Sequence, residues 1–333
     1  MGRDDIVKTR QPVRSPAVWR PRDVTDAAQW TYTFTEDERL AIGNAAKLAM
    51  ERGKTTATVE ASDFDFAALR SRINEWVEIL SRGRGFVLLR NFPIEQLSPP
   101  EVELAYIGLG LQFGTPVGQD ADATLLGHVR DERENRTDPS VRLYRTRERQ
   151  DFHTDGADFV GLLCLSGAKA GGESRIASSY TVYNEILRTR PDLAEVLFEP
   201  MPWDRNDEQS HGEDPFFMLP VFHDVAGMPR IFFIGWYIRD SQRHPQAPPL
   251  SDAQLEALEL IETIANDPEI HIEMDFRPGD IQLISNAKIL HSREAFEDPP
   301  ELDRRRHLLR LWLASHQSPN VDELLRAGIP KRM

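Results

Sequence analysis

His153 and Asp155 flank a single threonine in Phe152-His153-Thr154-Asp155, and a further imidazole follows 136 residues later (291 − 155) in Ile289-Leu290-His291. Two imidazoles and one carboxylate make a set of metal ligands only if the fold carries the distant segment back beside the first pair. On a strand, a spacing of two points His153 and Asp155 to the same face. A second strand bearing His291 would then complete a triangle of ligands. Three coordination positions remain open for substrates and dioxygen, the arrangement of non-haem Fe(II) oxygenases. Taken alone, the short motif has a plainer reading, in which His153 is a surface histidine and Asp155 caps the turn before Gly156.

The rest of the chain supplies the strands. From Asp158 onward, strand-like runs cover Val160 to Leu165, Phe216 to Phe222, Arg230 to Ile238, Ile270 to Phe276, Asp280 to Ile284 and His307 to Leu313. Trp236 and Trp312 sit within such runs and read as core. Helices are expected after the Thr35/Glu38 capping box, over Phe66 to Leu80, from Ser98 or Pro99 to near Gly114, over Tyr180 to Arg190, and over Ser251 to Ala265. The pattern predicts a mostly β domain with flanking helices, a double-stranded β-helix or jelly roll of cupin-like form. Residues 1–34 read as an extended N-terminal arm, 35–318 as one domain and 319–333 as a tail. Residues 115–150 are polar and poor in periodicity. A stretch of that kind leading into His153 reads as an active-site loop.

Composition narrows the function. Formal net charge is −14, from 40 basic and 54 acidic residues, which argues against nucleic-acid binding. The one cysteine, Cys164, lies in an apolar run, and reads as a buried thiol in a reducing cytoplasm. The N-terminus has no secretory h-region, and no apolar stretch is long enough to span a bilayer. A soluble, cytoplasmic protein is expected, and a homo-oligomer is compatible with the sequence.

The segment Arg304 to Leu313 adds chemistry. As a strand it places Arg306, Leu308, Arg310 and Trp312 on one face. Buried arginines are costly unless they meet anions, and their planar fork suits carboxylates. Arg304 and Arg305 read as a solvated edge. Arg310, set among leucines and Trp312, does not.

Together, His153-Thr154-Asp155, Gly171-Gly172-Glu173-Ser174, His291 and the Arg306/Arg310 pair resemble the taurine dioxygenase-like (TauD/TfdA) Fe(II)/2-oxoglutarate-dependent dioxygenases. The resemblance runs from about Gly85 to Leu313. It implies that His153, Asp155 and His291 are catalytic and hold Fe(II). It implies that Ser174 and Arg306 bind 2-oxoglutarate, and that Arg310 binds the anionic group of a small substrate. The interval from His291 to Arg306 is 15 residues (306 − 291), close to that in clavaminate synthase-like members. At this level the two arginines can exchange roles. Tyr144 and Arg145 are further candidate substrate contacts, and Phe152 and Phe159 candidate pocket walls. The presence of Asp155, where halogenases of the family carry Gly or Ala, implies hydroxylation or another oxidation, with O₂ consumed and succinate and CO₂ released. Two alternatives use fewer of these residues. A zinc hydrolase would employ the His/Asp/His set alone, and a non-catalytic jelly-roll binding protein would need no metal.

Overall fold

Thr35 and Glu38 cap each other across the first helical turn, with Thr35 N donating to Glu38 Oε2 at 2.9 Å and Glu38 N to Thr35 Oγ1 at 3.3 Å. The computed structural model describes residues 10–120, 122–134, 141–209, 211–225 and 227–316. The first nine residues of the expected arm and the whole expected tail lie outside these, as do 121 and 135–140 of the expected loop.

In chain order, the first half comprises β1 (Thr31–Thr33), α1 (Glu36–Glu51), α2 (Arg70–Ser81), β2 (Phe86–Arg90), α3 (Pro99–Gly110), β3 (Gly114–Pro116), β4 (Leu126–Val129), β5 (Gln150–His153), β6 (Phe159–Ser166), β7 (Ala170–Gly171) and β8 (Ser174–Ser178). The second half comprises α4 (Ser179–Thr189), α5 (Pro191–Val196), β9 (Met201–Asp204), β10 (Phe216–Leu219), β11 (Phe222–Val225), β12 (Met228–Ile231), α6 (Gly235–Asp240), α7 (Asp252–Ala265), β13 (His271–Met274), β14 (Ile281–Ser285), β15 (Ile289–Arg293), β16 (Phe296–Glu297) and β17 (His307–Ser315). The fold is a mixture of helices and sheets, about 34% helix and 25% strand, so helices contribute more than the sequence pattern suggested.

Two sheets organise the interior. The larger runs β1-β2-β14-β6-β17-β3, with β4 also on β17, and the smaller runs β13-β8-β15-β5. Helices α1 to α3 pack through Ile42, Trp76 and Tyr106 onto Leu163, Leu283, Leu309, Leu311 and Leu313 of the larger sheet. Helices α4, α5 and α7 pack onto Phe152, Ala177 and Leu290 of the smaller one. A third cluster joins Val160, Ile284 and Trp312 to Ile176, Met274 and Ile289, so the two sheets face each other. The period of two in β17 therefore divides its labour. Its odd-numbered leucines bury against helices, and Leu308, Arg310 and Trp312 turn between the sheets.

Several segments differ from expectation. The run Arg230 to Ile238 is strand only through Ile231, and α6 follows. Thr154 takes both backbone groups of Phe233, Thr154 N donating to Phe233 O at 2.8 Å and Phe233 N to Thr154 Oγ1 at 3.0 Å. That withdraws Phe233 from any ladder. Phe216 to Phe222 is two short strands, and α3 stops at Gly110, beyond which β3 pairs with β17. Trp19 and Val13 of the expected arm are buried, and Val13 exchanges backbone hydrogen bonds with the Asn184 amide. Among the described residues, no helix is long and apolar enough to cross a membrane.

Candidate metal centre and active-site cavity

His153 and His291 are direct cross-strand partners in the antiparallel pair β5–β15. Their rings lie 4.2 Å apart, centroid to centroid. Asp155 lies just past the end of β5 rather than on the strand, in a turn pinned by Asn286. Asp155 N donates to Asn286 Oδ1 at 3.1 Å, and Asn286 Nδ2 donates to Ala157 O at 2.6 Å. The turn, not strand alternation, aims the carboxylate at the imidazoles. One ligand atom from each of His153, Asp155 and His291 lies within 4.8 Å of the other two, and all three residues are buried.

The donor set fits a divalent transition metal. His153 Nδ1 is 2.8 Å from Asp151 O, so Nδ1 carries the proton and Nε2 keeps its lone pair. Burial and the neighbouring His291 push the His153 imidazole down to about 3, which keeps it neutral. His291 Nε2 is 3.6 Å from Asp155 Oδ2, while its Nδ1 has no hydrogen-bond partner among the described residues. Burial opposes ionisation of Asp155, but Arg310 and His291 outweigh it and hold the carboxyl well below the usual carboxylate range. Trp312 Nε1 donates to Asp155 Oδ2 at 3.1 Å, and Arg310 Nη1 reaches Oδ1 at 3.4 Å.

Arg310 is buried and held at both ends. Its Nε donates to Gln119 Oε1 at 2.7 Å, and Gln119 Nε2 donates back to Arg310 O at 2.8 Å. Its guanidinium lies over Tyr144, 4.6 Å from the ring centroid. Arg306 lies beside Ser174 in a small recess that His153, His291 and Arg310 also line. Gly171 and Gly172 both have φ in the left-handed region. A Cβ on Gly172 would meet Arg306 Nε at 3.0 Å, so this glycine admits the guanidinium. Arg306 Nη1 is buried without a partner, and Ser174 Oγ shares a hydrogen bond with the Gln282 amide at about 3.1 Å.

The recess opens toward a cavity of 530 Å³ whose lining includes His153, Asp155, Tyr144, Trp236 and Arg310. Trp236, expected in the core, instead stands in the cavity wall with its ring 5.1 Å from that of His153, because α6 replaces the expected strand. Phe152 and Phe159, expected as walls, are core residues. Arg145 is not brought to the cavity, since it pairs with Glu132 and Glu134. Cys164 is buried on β6, and burial pushes its thiol up to about 12. The sequence reading missed Asn286, Gln119, Gln282 and Arg293. Arg293 had a faint signal, two residues beyond His291 on one strand face.

Residues 51–312 match the model of the taurine catabolism dioxygenase TauD, TfdA family. The chain belongs to this family. It is similar to FR-33289 synthase of Streptomyces rubellomurinus, 32% identical over 307 residues that span 91% of each chain. It is also similar to a uridine-5'-phosphate dioxygenase of Amycolatopsis, 25% identical over 246 residues, 69% of this chain and 85% of that one. Among solved structures it resembles asparagine oxygenase in complex with Fe(II), hydroxyasparagine and succinate. The TM-score is 0.66 at 16% identity, covering 85% of this chain and 93% of that one. As a TauD/TfdA member with this ligand triad, the protein is an Fe(II)- and 2-oxoglutarate-dependent dioxygenase acting on a small organic molecule. The hydrolytic and non-catalytic alternatives have no use for the recess holding Ser174 and Arg306.

Proposed function

We propose that this dioxygenase hydroxylates a small anionic substrate held in the 530 Å³ cavity, with His153, Asp155 and His291 as the iron ligands. The volume falls in the ordinary range for small-molecule sites. When bound, iron supplies O₂-dependent oxidative decarboxylation of 2-oxoglutarate to succinate and CO₂, coupled to oxidation of the substrate. The protein supplies positions and exclusion of water. Arg306 and Ser174 receive the distal carboxylate of 2-oxoglutarate. Asn286 holds the Asp155 backbone, and Trp312 and Arg310 fix its carboxylate. Tyr144 and Trp236 wall the reacting face. We read the two facing sheets as a double-stranded β-helix within one domain, residues 115–150 as an active-site loop, and the protein as cytoplasmic.

The observation that carries the anionic reading is a charge left over in the cavity. Arg142 pairs with Glu208, Arg239 with Glu262, Arg243 with Asp204 and Arg310 with Asp155. Arg205 also lines the cavity, stacked 5.2 Å from the Phe217 ring centroid, and its buried Nε has no partner. It has no carboxylate partner among the described residues. An acidic group on the substrate would meet that need, and a phosphate is named in the substrate of the uridine-5'-phosphate dioxygenase relative. Arg310, whose charge is engaged by Asp155, would orient that group from the inner end. The test is a succinate-release screen over carboxylates, sulfonates, phosphonates and phosphate esters beside their neutral amides and esters. Stimulation by anionic members is expected. Stimulation by neutral members alone would overturn the reading.

A further inference from the structure

Arg293 is a further cation of the recess that Arg306 and Arg310 also line. It is 6% exposed. Its Nη2 donates to Thr146 O at 2.9 Å and also to Leu143 O and Glu148 O. Among the described residues, its buried Nε and Nη1 have no hydrogen-bond partner, and no carboxylate lies within ion-pair distance of it. Arg306 is 5% exposed and likewise lacks a partner for Nη1. Both guanidinium carbons stand 5.1 Å from the Phe296 ring centroid.

Register places the third member. In the β8–β15 pair, Arg293 is directly opposite Ser174, so their side chains leave the sheet on the same face. Ser174, Arg293 and Arg306 line one recess with His153 and His291. Two dry guanidinium groups repel each other and have lost their hydration, which is unfavourable until an anion enters between them. With Nη2 of Arg293 engaged by backbone carbonyls, its unpartnered Nη1 keeps two N–H groups to offer a carboxylate.

We propose that Arg293 is a second guanidinium of the distal-carboxylate site, closing with Arg306 and Ser174 on the end of 2-oxoglutarate remote from the metal. The proposal rests on the reading that Arg306 and Ser174 hold that carboxylate. The competing role is a strap, in which Arg293 only ties residues 143–148 to β15 through its three carbonyl contacts.

The two roles separate with two keto acids. 2-Oxopentanoate has the chain length of 2-oxoglutarate and lacks the distal carboxylate. Each is titrated anaerobically into Fe(II)-loaded wild type, Arg293→Gln and Arg293→Lys, reading the visible absorption band that chelation produces. In Arg293→Gln, 2-oxoglutarate affinity is expected to fall about tenfold or more while 2-oxopentanoate affinity stays within about twofold, since one charge-assisted contact is lost. Arg293→Lys should recover part of the loss, and it carries the test alone if the glutamine variant fails to fold. An equal fall for both acids makes Arg293 a strap and overturns the proposal. If wild type itself does not prefer 2-oxoglutarate, the assignment of Arg306 and Ser174 fails first, and this proposal with it. A crystal structure of the wild-type 2-oxoglutarate complex decides without substitution. Arg293 Nε or Nη1 at about 3 Å from the distal carboxylate supports the proposal, and a gap beyond hydrogen-bond reach overturns it.

Discussion

Arg310 and Asp155 form a buried ion pair, Nη1 to Oδ1 at 3.4 Å, in which the carboxylate is also a member of the metal triad. The same carboxylate takes a hydrogen bond from Trp312, the next inward residue of β17. The strand that carries Arg310, the proposed substrate contact, therefore also orients the carboxylate proposed as a ligand. In that reading, substrate recognition and metal geometry share one side chain.

That pair makes the three ligand substitutions unequal. Alanine at His153, Asp155 or His291 is expected to abolish 2-oxoglutarate turnover. Asp155→Ala additionally leaves Arg310 buried without its partner, a loss on the order of 3–5 kcal/mol. Thermal unfolding of the metal-free variants should show the larger drop for Asp155→Ala and smaller ones for the histidines. Equal melting temperatures for all three would mean that the pair contributes little to folding.

Arg306→Ala is expected to raise the KM for 2-oxoglutarate by tens- to a hundredfold, from a lost charge-assisted contact of roughly 2–3 kcal/mol in a dry recess. Ser174→Ala should act in the same direction and more weakly, because Ser174 is a neutral donor already shared with Gln282. Normal keto-acid binding in Arg306→Ala would move the carboxylate site to the Arg310 side.

Much of the centre could be read from the chain because ligand chemistry restricts residue type, although the turn after β5, and not strand alternation, directs Asp155. What escaped was carried by neutral partners and by register. Asn286 and Gln119 are ordinary amides until the fold sets them against Asp155 and Arg310. Arg293 gains meaning only from standing opposite Ser174, and strand register between distant segments has no local signature. The misplacement of Trp236 has a different cause. Phe232-Phe233-Ile234-Gly235-Trp236 is a short apolar run, and such runs do not distinguish strand from helix until tertiary contacts decide. Here Thr154 decides, by taking the Phe233 backbone.

Arg310→Ala should uncouple the reaction. 2-Oxoglutarate is still consumed slowly, and little substrate is oxidised, because the variant loses both the inner cation of the cavity and a brace on Asp155. Succinate and oxidised product are measured together. A ratio that stays near wild type while both fall would assign Arg310 to positioning Asp155 alone.

His307 gives a pH signature of folding. Its Nε2 lies 2.9 Å from His128 Nδ1, and burial together with His128 holds its imidazole down to about 4, from 6.5. As pH falls through 6.5 the unfolded chain takes up a proton that the folded chain refuses until about 4. Stability therefore rises with pH across that window and is lost as pH drops through it. His307→Gln should flatten denaturant-derived stability between those limits by up to about one proton. An unchanged slope would show that His307 titrates normally.

One recess and one triad are proposed to seat 2-oxoglutarate as a chelate of iron. Anaerobic addition of Fe(II) and then 2-oxoglutarate to the purified protein tests it directly, before any substrate is known. A weak visible charge-transfer band is expected that appears with wild type, saturates with 2-oxoglutarate and is absent in His291→Ala. No band with wild type, or an undiminished band in His291→Ala, would contradict it.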